Sequence, residues 1–236
     1  EANEEAQRRN AEDGGKLVHP FDDADAWTGH ATLVHETVAD LARREKTMTF
    51  SSNDSNDSNE RGEQNKTGKT EIAAFVTCVG GGGLLMGILQ GLRETGLASS
   101  ARVVAAETLG ADSMASSLEA GAVTTLPGIT SVAKSLGAAA PSARVFAEAH
   151  ELYEKKRVLP LRVSDEDAVR ACLRFADDHR VLVEPACGAA LAAVYGGQAA
   201  KWLEKCADGP VVVEVCGGAI VDRGILEAYA KQFGIE

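Results

Sequence analysis

Apolar residues gather along this chain in short unbroken runs separated by longer stretches of mixed character. Ile72–Val79 is an almost continuous apolar run, the pattern of a strand buried on both faces. Arg102–Ala106, Val158–Val163 and Val211–Val215 repeat it. The stretches between them carry helical spacing: Leu84–Thr95, Ser113–Ala120, Ser142–Glu154, a helix opened by Ser164 and running to Arg180, Ala186–Lys205 and Asp222–Gln232. Ser164 supplies a capping hydroxyl, and Asp165, Glu166 and Asp167 put negative charge in the first turn of that helix. Upstream, residues 1–13 read as a polar helix, Lys16–Val18 as a short strand, His19–Asp23 as a turn and Gly29–Arg44 as a helix. Strands alternating with helices predict an α/β fold with a mostly parallel, twisted sheet and helices on both faces.

The pattern lapses between Thr47 and Thr70. Ser51 to Asn59 contains only Ser, Asn and Asp, which bury no apolar surface, so 47–70 is expected to be a disordered surface insertion. Three glycosylation sequons, at Asn53, Asn56 and Asn65, arise in this tract by composition.

Composition narrows the class of function. A chain of 236 residues with 44% hydrophobic content builds one large domain, or one domain and part of another. A formal net charge of −11 excludes a nucleic-acid partner, whose affinity rests on Lys and Arg at phosphates, and disfavours an anionic membrane surface. No apolar run reaches the about 18 residues that cross a bilayer. The five cysteines are odd in number and show no C-x-x-C spacing, which argues against a disulfide framework and predicts a cytoplasmic protein. The chain opens on Glu1 and not on Met, so its start is read as a cut.

The strongest local signal is Gly80-Gly81-Gly82-Gly83-Leu84, set between a buried strand and a helix. Backbone without side chains approaches a ligand closely, and N–H groups at a helix start favour an anion. The loop is therefore expected to cradle a phosphate. No Lys follows it, which argues against a nucleotide triphosphate, and no G-x-G-x-x-G register fits, because Leu85 and Met86 stand where the last glycine would fall. A single terminal phosphate remains. Gly83, Gly87 and Gly91 give the following helix one bare face, expected to lie tightly on the sheet. Val211–Val215 ends in Cys216-Gly217-Gly218, and ligands of open parallel sheets sit at such strand ends.

Taken in order, His19-Pro20-Phe21-Asp22-Asp23, Gly29-His30-Ala31, the Gly80–Leu84 loop, Glu107 to Ala111, Leu126 to Ala133, Leu182 to Ala190 and Val215 to Gly218 resemble the L-serine/L-threonine dehydratases, pyridoxal-phosphate enzymes of the tryptophan-synthase-β-like class. The resemblance covers nearly everything outside 47–70. It implies residues 1–20 as a remnant of a smaller domain and 21–236 as the larger, cofactor-binding domain. It implies that Gly80, Gly81, Gly82, Gly83 and Leu84 hold the phosphate of pyridoxal 5′-phosphate, and that Cys216 faces the pyridine nitrogen. A thiol hydrogen-bonds weakly, so the ring would be a milder electron sink than with an aspartate there. Glu107, Ala111 and Ser113, with the Leu136 carbonyl, would bind a monovalent cation such as K+; Pro185 and Cys187 would be structural. The implied activity is elimination and deamination of L-serine and L-threonine to pyruvate and 2-oxobutyrate, by a homodimer.

The lysine that such enzymes join to the cofactor sits in a Ser-x-Lys-x-Arg context that this sequence does not contain. Lys134 is not assigned that role, so no catalytic residue is expected within the chain. The chain alone is expected to be inactive, with exposed sheet edges. Competing readings are a same-fold serine racemase or threonine synthase, a non-catalytic phosphate-binding remnant, and a nicotinamide-dependent oxidoreductase.

Overall fold

The computed structural model describes residues 2–52, 71–206 and 208–235. Ahead of the sheet lie α1 (Ala2–Asp13) and α2 (Ala24–Ser52). The sheet and its helices follow as β1 (Ala74–Cys78), α3 (Gly83–Glu94), β2 (Arg102–Thr108), α4 (Ser113–Ala120), α5 (Ala143–Glu154) and β3 (Val158–Val163). The chain then builds α6 (Asp165–His179), α7 (Pro185–Tyr195), α8 (Ala200–Leu203), β4 (Val211–Val213) and α9 (Arg223–Phe233).

The four strands pair in the order β3-β2-β1-β4, every pair parallel. Alternate residues of the central strands serve opposite faces, as the period of a strand requires. Val76, Cys78, Val104 and Ala106 join a core with Ala168 and Cys172 of α6 and Ala189 and Ala190 of α7. Phe75, Val103 and Ala105 join a second core with Val34 of α2, Ile88 of α3 and Val145 of α5. Helices thus cover both faces, as the alternation of runs predicts.

The chain lays β2 and β3 on one side of β1 and returns to lay β4 on the other. The order of strands reverses between β1 and β4, and open α/β sheets hold their ligands in the crevice at such a reversal, beyond the carboxyl ends of the strands. Both the glycine loop and Cys216 lie there.

Five expectations need correcting. Lys16–Val18 forms no strand: among the described residues nothing pairs with it, Val18 is 55% exposed, and Lys16 forms an ion pair with Asp25. The helix expected over Ala186–Lys205 breaks into α7 and α8 at Gly196-Gly197, where Gly197 takes φ +69°. The last strand is short and lies at the sheet edge, so Val211 is exposed and not buried. The bare face of α3 meets α2 and not the sheet: a Cβ at Gly87 would lie 2.2 Å from His30 Cβ, and one at Gly91 2.7 Å from Val34 Cβ. Helix α2 begins at Ala24 and runs through Ser52, overlapping the first residues of the expected insertion; 53–70, with the three sequons, lie outside the described residues.

Candidate cofactor site

The site starts from the way β1 hands over to α3. Cys78 ends the strand, and the Val79 N–H still reaches the Ala106 carbonyl of β2 at 2.9 Å. The chain then turns through Gly80–Gly82, with Gly82 as the N-cap of α3 at φ +97°, a conformation open to glycine and strained for other residues. Gly82 has no side chain to cap the helix, so the first N–H groups of α3, those of Gly83, Leu84 and Leu85, have no acceptor within the helix. Such an end is built for an anion.

Neighbours press on this loop from every side. A Cβ at Gly81 would fall 2.2 Å from the Phe21 ring, one at Gly82 2.7 Å from Val145 Cγ1, and one at Gly80 3.2 Å from the Leu136 Cα. The Gly81 carbonyl accepts the Ser142 N–H at 3.1 Å, tying the loop to the start of α5. The loop floors a cavity of about 290 Å³ whose other walls include Phe21, Ser135, Leu136, Glu184, Cys78 and Cys216. A larger cavity of about 600 Å³ lies away from the loop, between α3, α5 and β2, and holds none of these residues. A phosphate on the loop and an aromatic ring reaching toward Cys216 fit the smaller cavity, because uncapped helix N–H groups stand at one end and strand-end thiols at another.

Cys216 follows β4 and is exposed. Its sulfur lies 3.7 Å from Cys78 Sγ and 3.0 Å from Cys187 Sγ. Cys187 sits in the first turn of α7, accepts the Gly217 N–H at 3.1 Å and donates to the Gly217 carbonyl at 3.0 Å, so it fixes the loop that carries Cys216. The Cys187 contact draws the Cys216 thiol down, but the Cys78 contact and burial outweigh it and hold the thiol above its usual range. The Cys187 thiol is likewise raised, by its contact with Cys216 and by burial. Glu214 is 6% exposed, and burial raises its carboxyl while Thr77 Oγ1, donating at 3.3 Å, partly offsets this.

The residues expected to bind a cation meet in the β2–α4 connection. Glu107 is fully buried; its Oε1 accepts from the Met114 N–H at 3.0 Å and its Oε2 from the Ala115 N–H at 2.7 Å. Burial pushes its carboxyl up to about 8, against the pull of these two N–H groups. Ser113 opens α4, and its hydroxyl is buried with no hydrogen-bond partner. Ala111 is buried, and its N–H donates to the Thr108 carbonyl at 2.9 Å. Leu136 packs in the same core as Ala111; its carbonyl accepts from the Ala138 N–H, and its backbone lies beside Gly80. Lys134 donates to the Ser131 carbonyl at 2.9 Å and does not line the cavity.

Sequence reasoning singles out the loop and Cys216 but not Phe21, Ser135 and Glu184 as cavity walls, nor the gathering of Cys78, Cys187 and Cys216. For Cys78 a signal existed: it and Cys216 both end apolar runs that parallel pairing aligns, Val76 opposite Val213. Cys187 lies on a helix, where no strand register reveals its neighbour.

Comparison with known proteins places the chain in a family. The family described as "Pyridoxal-phosphate dependent enzyme" matches residues 1–217. The chain is 43% identical over 239 residues to the "Serine dehydratase-like" protein of Mus musculus, covering 99% of this chain and 63% of that protein. It is 40% identical to "L-serine dehydratase/L-threonine deaminase" of Bos taurus, covering 94% of this chain and 60% of that protein. The crystal structure of an L-serine ammonia-lyase from Rhizomucor miehei superposes with a TM-score of 0.72 at 32% identity, over 92% of this chain and 59% of the other. Maize serine racemase shares the fold at a TM-score of 0.73 and 22% identity. The chain thus spans about three fifths of the length of these relatives, and it belongs to the pyridoxal-phosphate dependent enzyme family.

Proposed function

We propose that this chain forms the phosphate-binding part of a serine/threonine dehydratase, which converts L-serine to pyruvate and ammonia and L-threonine to 2-oxobutyrate. The observation that carries the reading is the uncapped start of α3 behind Gly80–Gly83, set at the reversal of strand order. The similarity to the bovine L-serine dehydratase/L-threonine deaminase and to the mouse serine dehydratase-like protein supports the substrate class.

In this reading the N–H groups of Gly81, Gly82, Gly83 and Leu84 bind the phosphate of pyridoxal 5′-phosphate, and Cys216 meets the ring nitrogen. When bound, the cofactor would supply an electron sink for the pair left at the substrate's Cα when its proton is removed, the charge that then expels the β-hydroxyl. The chain's own residues bind, orient and shield. Phe21 packs on Gly81 and keeps the loop close to its ligand. Cys187 holds the Gly217 backbone and so fixes the direction of Cys216. Glu107 and the unpartnered Ser113 hydroxyl support a monovalent-cation site, with K+ the expected occupant. Five free cysteines support a reducing, cytoplasmic setting, and the exposed apolar residues Val181, Leu182 and Ile220 support a homodimer.

Equilibrium dialysis tests the reading. Pyridoxal 5′-phosphate should bind the chain, inorganic phosphate should compete, and pyridoxal without phosphate should bind at least tenfold more weakly. Equal binding of pyridoxal would remove the phosphate cradle from the account. Formation of 2-oxo acid from L-serine and L-threonine by the whole protein tests the substrate class.

A further inference from the structure

Three ligand atoms stand together at the reversal of strand order, and the cofactor reading uses only one of them. The sulfurs of Cys78 and Cys216 and a carboxylate oxygen of Glu214 all lie within 4.8 Å of one another. Cys78 ends β1, and the other two follow β4, the strand paired beside it. We propose that Cys78, Glu214 and Cys216 form a binding site for a zinc-class divalent cation at the wall of the cavity.

The spacing supports this directly. Zinc bound tetrahedrally by thiolates, at about 2.3 Å from each sulfur, sets the two sulfurs about 3.8 Å apart. Cys78 Sγ and Cys216 Sγ are 3.7 Å apart without rearrangement. The carboxylate supplies a third ligand, and two thiolates with one oxygen suit zinc or cadmium rather than calcium or magnesium. Glu214 is buried, so its carboxylate oxygen meets little competition from water as a ligand.

The surroundings match a ligand set with an outer layer. Thr77 Oγ1 donates to Glu214, and Cys187 contacts Cys216 at 3.0 Å while gripping Gly217 through its backbone N–H and carbonyl. Outer partners of this kind orient metal ligands. Cys78 and Cys216 line the cavity, so the fourth coordination position opens toward it and takes water or a small ligand. Binding one divalent ion expels both thiol protons, so affinity rises with pH. The inference needs only these three side chains; it shares Cys216 with the cofactor reading, so it is tested on the cofactor-free chain.

Cobalt(II) serves as the probe, because thiolate ligation gives it an intense charge-transfer absorption in the near ultraviolet. The metal-free, reduced chain should take up one cobalt with that absorption, and one equivalent of zinc should abolish it. Cys78→Ser and Cys216→Ser should each lower affinity at least tenfold, while Cys206→Ser, remote from the cluster, should bind as the parent does. Absence of the absorption at stoichiometric cobalt, or its persistence in Cys216→Ser, overturns the proposal. Should Cys78→Ser fail to fold, alkylation of the parent chain decides the matter. Zinc should shield Cys78 and Cys216 while Cys206 is labelled, and labelling of all three at unchanged rates counts against the site.

Discussion

Glu107 is an acid in the wrong medium for its charge, and this has a sign. Its carboxyl is raised to about 8 by burial from an ordinary value near 4.5. Between those limits the folded chain holds a proton that the unfolded chain has lost, so stability falls as pH rises, by up to about 1.4 kcal/mol per pH unit. Thermal melts from pH 5 to 8 should slope downward, and the slope should flatten with potassium but not with tetramethylammonium, because a bound cation stabilises the ionised form. A slope indifferent to potassium would detach Glu107 from the cation reading. Cys216 gives a second residue-scale prediction. Its thiol is exposed yet held above its usual range. Iodoacetamide at pH 8 should therefore label it at least about tenfold more slowly than free glutathione, since the thiolate is the nucleophile. Neither property is legible in the sequence, where Glu107 is one acid at a strand end and Cys216 one thiol among five. Burial creates the first, and burial with the Cys78 neighbour creates the second.

Helix α3 shows an element whose existence the sequence predicts and whose partner it does not. Glycines four residues apart announce a close approach, and the structure supplies α2 as the partner because Trp27, His30 and Val34 present matching contacts. Gly87→Ala should improve intrinsic helix propensity by about 1 kcal/mol and still destabilise the chain, because the new methyl would lie 2.2 Å from His30 Cβ and 2.9 Å from the Trp27 carbonyl. Urea unfolding decides the sign. Gly82→Ala should cost about 1–3 kcal/mol through φ +97° and the Val145 contact, and should weaken phosphate binding together with stability. The strands are readable because β1 lies in a nearly continuous apolar run and β2 and β3 are mostly apolar between helical stretches. Lys16–Val18 misled because three residues with strand-like character have no strand beside them. The start of α6 is legible from Ser164, whose hydroxyl accepts the Asp167 N–H at 3.0 Å.

For the molecule as a whole, the alternation of elements was enough to anticipate a parallel sheet covered on both faces, but not the order β3-β2-β1-β4. Strand order depends on which runs pair, and four similar apolar runs do not encode that locally. The order matters because it places the crevice. It also leaves β4 at an edge, with Val211, Val215, Ile220 and Ile225 exposed nearby in the chain. Exposed strand edges and apolar side chains promote association. Light scattering should show the chain associating as its concentration rises, and Val211→Lys with Ile220→Lys should reduce this without changing the circular dichroism spectrum.

The crevice also joins parts of the chain that lie far apart: the Cys78–Cys216 contact spans 138 residues of sequence. Closing so long a loop carries a large entropic cost before any contact repays it. Pairing of β4 with β1 rests on only three residues of register. The cavity is therefore completed late in folding and opens early in partial unfolding. Amide exchange at Val211–Val213 should be faster than at Ala74–Cys78, and a molecule bound across both walls should slow it by holding the loop closed. Occupancy of the crevice then acts as a clasp for the chain from β4 onward, so loss of the ligand would release β4 and α9 to exchange and proteolysis while β1, β2 and β3 stay paired.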